Sequence, residues 1–225
     1  MTGAGASKDT QATTRLEDIT LTTEQPAPPI PLLEIRVTQT DGSVSRFAQD
    51  DPALVKRILD AIQPARLFSV PLLTLGGDGA LTVFPTSRIE RVDLIGDSLP
   101  NWPYLGGAAA IREIAEEAFL AAYDPAQSVA DRQKAGDVPG TTQAGYTEYA
   151  TISGRHVYWE VQMESRPMTR MDFGPYIQSL FSAGGLHART EEGGVTILNP
   201  ATITRLVFHP GPPTLPINAW PARRL

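Results

Sequence analysis

The chain has 225 residues, of which 41% are hydrophobic and 20% charged, with a formal net charge of −6. That acidic balance excludes non-specific docking on nucleic-acid phosphates or on an anionic membrane surface, both of which need clustered Lys and Arg. The sequence holds no cysteine, which excludes disulfides, thiolate catalysis, cysteine-ligated zinc, iron–sulfur clusters and cysteine-borne lipid anchors.

Residues 1–31 read as an extended N-terminal arm. The first twenty have no apolar segment of the secretory type, and no run in the chain approaches the length of a membrane span. A cytoplasmic protein with no direct membrane insertion is therefore expected. The stretch "EQPAPPIP" contains four prolines in eight residues. Proline fixes φ and removes a backbone donor, so this piece favours an extended, polyproline-like form.

Residues 32–97 form a first α+β unit. "LLEIRVTQ" and "SVSRFA" are strand-like, and Asp41-Gly42 between them is a hairpin signal. "DDPALVKRILDAIQ" predicts a helix that Asp51 caps and Pro52 starts. Leu54, Val55, Ile58, Leu59 and Ile62 share its apolar face. Two further strands, "PLLTLGG" and "ALTVF", meet at a glycine-rich turn, and "RIERVDLIG" closes the unit.

Residues 98–150 form a connector. "LPNWPYLGG" is a loop, and "AAAIREIAEEAFLAAY" predicts an amphipathic bridging helix with Ile111, Ile114, Ala115, Ala118 and Ala122 inward. A short helix over "AQSVADRQKAGD" and a polar loop over "VPGTTQAG" follow. Residues 151–211 form a second unit. It runs through the strand-like "RHVYWEVQM" and "MTRMDF", a helix over "GPYIQSLFSAGG" and three strands, "LHARTEE", "VTIL" and "TITRLVFH". Residues 212–225 are a second proline-rich arm.

The two units repeat one pattern. At an offset of 114, residues 80–97 align without a gap on 194–211. Thr82 meets Thr196, Ile89 meets Ile203 and Arg91 meets Arg205. Apolar positions match as well: Val83 with Ile197, Val92 with Leu206, Leu94 with Phe208. The expected fold class is α+β. Two tandem pseudo-repeats, each strand-strand-helix-strand-strand-strand, make mostly antiparallel sheet or barrel-like lobes. Each repeat alone has few residues and open strand edges, so pairing the two would bury faces and hide edges.

The chemistry-bearing residues are sparse. The three histidines are His156, His187 and His209, and no G-x-S-x-G elbow or other nucleophile signature accompanies them. His156 and Glu160 share a strand face and His187 lies in the same unit, but no tight ligand motif such as H-E-x-x-H is present. Glu113, Glu116 and Glu117 read as a solvated helix face beside Arg112. The "GGDG" turn has neither the lysine nor the following helix of a phosphate loop. No catalytic residue, cofactor or metal is expected.

The aromatics suggest binding. Trp102 and Tyr104 sit in a Pro/Gly loop and Trp220 in the C-terminal arm, and such residues commonly anchor interfaces. Together with Pro28, Pro29 and Pro31 they form the expected partner-binding set. The functional expectation is a non-catalytic accessory or structural subunit that binds protein partners in a larger complex, with no nucleic-acid partner. The alternative is a small-molecule-binding protein or enzyme with its site between the two repeats.

Overall fold

A computed structural model of the chain describes residues 30–77, 79–123, 142–164, 173–211, 216 and 219–222. The chain divides into two compact units, Met1–Ile30 and Pro31–Leu225, and the fold described below is that of the second. Its strands are β1 Leu33–Gln39, β2 Val44–Gln49, β3 Leu72–Gly77, β4 Ala80–Pro85, β5 Ile89–Ile95, β6 Ala108–Ile114, β7 Thr142–Thr151, β8 His156–Glu164, β9 Leu186–Arg189, β10 Val195–Leu198 and β11 Ile203–His209. Among the described residues three helices accompany them: α1 Pro52–Ala61, α2 Glu116–Ala122 and, as α3, Phe173–Ser182.

The fold is mixed α+β and dominated by strands. Nine strands form one sheet in the order β11-β7-β8-β6-β9-β10-β5-β1-β2, and β3 and β4 form a separate two-stranded ribbon. Neighbours run antiparallel except β6 and β9. Because β10 pairs with β5, strands from both halves of the chain share the large sheet. The barrel alternative is not realised, since β2 and β11 each have a single strand neighbour among the described residues.

Local chemistry sets the first elements as the sequence indicates. Gly42 turns the β1–β2 hairpin with φ +84°, a region open to glycine without steric cost. Asp51 Oδ1 accepts from the Ala53 and Leu54 amides at 2.8 and 3.3 Å, satisfying donors that the first turn of α1 would otherwise leave unpaired.

Side-chain alternation along strands places two cores on opposite faces of the sheet. Leu33, Ile35, Val37, Val92 and Leu94 pack with Leu59 of α1 and Phe84 of the ribbon. Ile111, Trp159, Val161 and Leu186 pack with Leu180 of α3. Strand β10 serves both cores. Val195 and Ile197 belong to the first, and Leu198, pointing the other way, belongs to the second.

The sheet is strongly curled. β10 and β11 are five positions apart in the strand order, about 24 Å in a flat sheet at ~4.8 Å per step. Residues 199–202 alone connect them, and a link of that length reaches at most about 18 Å. The curl brings the β7–β8 turn round to β5, where the Ser153 amide donates to Glu90 Oε2 at 3.1 Å.

The connector differs from the expected bridging helix. Of the connector's described residues only Glu116–Ala122 form an α-helix, while Ala108–Ile114 is β6, inserted between β8 and β9. Alanine is the best helix former, but propensity is a weak prior, and pairing with β8 along Ala108–Ile114 overrides it. β7 begins at Thr142, so the β7–β8 hairpin spans the expected boundary at residue 151. The short helix expected over 126–137 and most of the "MTRMDF" strand lie outside the described residues.

Candidate functional site

The residues expected to bind partners fall in different environments. Pro28 and Pro29 lie outside the described residues, Pro31 is half-buried, and Trp220 is 91% exposed. Trp102 and Tyr104 are half-buried and close on His187. The Tyr104 ring stacks on the imidazole at 4.8 Å, and the Trp102 ring meets it edge-on at 6.5 Å. Burial, reinforced by the charge of Arg189, pushes the His187 imidazole below its ordinary pKa. These two aromatics thus join the two cores, Trp102 against the first and Tyr104 against the second.

The acids near His156 already have partners. His156 and Glu160 share a face of β8, as their spacing requires. His156 Nδ1 lies 3.2 Å from Glu148, while Glu160 accepts from Arg112 at 2.7 Å. Glu148 is buried and also pairs with Arg205. His187 sits apart from them in its aromatic enclosure. Among the described residues, no group of three His, Asp or Glu is placed to hold a metal ion.

The two halves of the chain meet at a polar depression of about 280 Å³ lined by Arg36, Arg91, Asp93, Glu113 and Thr190 among others. Arg91 donates to Asp93 from Nε and to Glu113 from Nη1, both at 2.6 Å. One guanidinium therefore serves two carboxylates. Burial, against the pull of Arg91 and with the help of Asp93, raises the Glu113 pKa, and its Oε2 is buried without a hydrogen-bond partner. At the neighbouring edge, Arg36 and Arg46 converge on Glu34 at 2.8 and 2.6 Å and bring its pKa down to about 2. Arg36 and Arg91 are thus both paired with carboxylates. Glu113 is part of this ladder, whereas the sequence suggested a solvated helix face.

The β3–β4 ribbon has two unlike sides. Leu73, Leu75 and Phe84 pack against the first core. On the other side Leu72, Leu81 and Val83 are 51%, 69% and 47% exposed. This bare side was not singled out from the sequence. Its signal is present, because "PLLTLGG" and "ALTVF" carry apolar residues in both phases of the strand alternation. The outer edges of β4 and β11 also lack a strand neighbour among the described residues.

No protein-family model matches this chain, and neither a curated protein nor a solved structure matches it.

Proposed function

We propose that this protein is a non-catalytic binding subunit that works by docking onto protein. The observation that carries the reading is the bare side of the β3–β4 ribbon, where Leu72, Leu81 and Val83 stand exposed together. Apolar side chains grouped on one exposed face mark interaction surfaces, and an open strand edge adds backbone donors and acceptors to them. The exposed Trp220 and the prolines at positions 28, 29 and 31 would supply tethers. A duplicated scaffold is part of the proposal: β5-β1-β2 and β11-β7-β8 are paired in the same order. So is a cytoplasmic setting, suited to a cysteine-free chain.

The small-molecule alternative has one observation in its favour, that both halves of the chain line the charged depression. It stands second because both lining guanidiniums, Arg36 and Arg91, already have carboxylate partners.

The test compares the natural protein with the Leu81→Lys, Val83→Lys variant by native mass spectrometry of tagged chains from the producing cells. Both positions face solvent, so the variant should keep its circular dichroism and melting temperature. The proposal predicts a defined higher-mass species for the natural protein that the folded variant loses. Identical spectra for the two proteins contradict it.

A further inference from the structure

The pairing of β5 with β10 has a counterpart position that the described residues leave vacant. Within the chain, Val195 lies opposite Leu94 and Ile197 opposite Val92. The offset of 114 between the aligned stretches maps β10 onto β4 and β5 onto β11. The equivalent register is therefore Leu81 opposite Phe208, Thr82 opposite Val207 and Val83 opposite Leu206. In the structure β4 pairs with β3 and β11 pairs with β7, and neither has a second strand neighbour among the described residues.

The side chains carry the same message. In β10, Leu198 packs into the second core, while Val195 and Ile197 cross to the first. The latter two are 1% and 0% exposed. In β4, Phe84 stands where Leu198 does and packs into the first core. Leu81 and Val83 stand where Val195 and Ile197 do, but they are 69% and 47% exposed. The residues that the β5–β10 pairing buries in one half are the ones left bare in the other.

From this quasi-equivalence we infer that β4 of one chain pairs antiparallel with β11 of a second copy, in the register Leu81–Phe208 and Val83–Leu206, and reciprocally. The inference deepens the binding-subunit reading and rests on it, by naming the occupant of the bare side. A second copy is the source of a strand with the matching edge. Within one chain the ribbon is fixed on its own core by Leu73, Leu75 and Phe84. Reciprocal exchange gives each copy the same two contacts and closes as a symmetric dimer.

The absence of cysteine makes thiol trapping a clean test. Opposed residues in an antiparallel pair have Cα atoms about 4.5–5.5 Å apart, within the range a disulfide spans. Full-length chains carrying Leu81→Cys are mixed with chains carrying Phe208→Cys and oxidised. Thr82→Cys with Val207→Cys is the second pair, which spares the contacts of Phe208 with Phe173 and Tyr176. Leu81→Cys with Ile203→Cys is the out-of-register control. The inference predicts a covalent two-chain species from both in-register mixtures, at least tenfold above the control, and a dimer for the natural chain by sedimentation. Monomeric sedimentation with cross-linking no greater than the control overturns it. If the Leu81→Lys, Val83→Lys variant meanwhile loses another protein, the binding-subunit reading stands and self-pairing alone fails.

Discussion

Asn199 donates from Nδ2 to the backbone carbonyl of Ile89 at 2.8 Å, across 110 residues of sequence. The same amide donates to the Thr86 carbonyl at 3.0 Å, and its Oδ1 accepts from the Ala201 amide at 3.1 Å. One buried side chain thus ties the short turn before β5 to the short turn before β11. Replacing it leaves buried carbonyls without donors. Asn199→Ala should lower stability by about 3 kcal/mol, read from urea unfolding. A loss below ~1 kcal/mol would show that the two turns are held by other means.

Two carboxylates on the charged ladder should respond to pH with opposite signs. Arg36 and Arg46 hold Glu34 at about 2, below its ordinary 4.5. A depressed acid contributes stability that is present above its unfolded value and is lost as pH falls through the folded one. The stability lost in Glu34→Gln should therefore be full above pH 4.5 and vanish near pH 2. Glu113 is raised above 4.5, first by burial. Its contribution is full below the unfolded value and is lost as pH rises through the folded one. Glu113→Gln keeps an acceptor for Arg91, so it should gain on the natural protein as pH rises from 4 to 7. Thermal melts of the three proteins across pH 2–8 read both trends, and parallel curves would contradict them.

The end of α3 approaches the 64–69 turn too closely for a side chain. A Cβ on Gly185 would lie 2.1 Å from the Pro64 carbonyl oxygen. The Gly184 amide also donates to the Ala65 carbonyl at 2.9 Å, and the Phe68 amide donates to Gly184 at 2.7 Å. Gly185→Ala must push these segments apart. A cost of about 2 kcal/mol or more is expected, with the loss of near-ultraviolet signal reporting loosened packing around Phe68. A neutral Gly185→Ala would mean that the turn shifts freely.

What the sequence made legible was local. Asp41-Gly42, the Asp51 cap and the glycine turn after β3 each act within a few residues, so their types reveal them. The strands flanking them follow from alternation. The fate of Ala108–Ile114 did not, because a strand inserted between β8 and β9 is decided by neighbours far along the chain. Trp102 and Tyr104 looked like surface anchors for the same reason. Only the fold shows that His187 lies between them. Leu81 and Val83 carried their signal openly, as apolar residues in the second phase of a strand. Which phase would face the core depended on where the ribbon docks.

The central claim, that protein covers the bare side of the β3–β4 ribbon, is tested most directly by a photoreactive amino acid at position 81. The same group at Glu117, an exposed site on α2, is the reference. On illumination in the producing cells, the account predicts a discrete protein adduct from position 81 and none from position 117. In the self-paired form, that adduct maps to residues 203–209 of a second chain. Illumination that leaves position 81 as free of adduct as position 117 would contradict the account.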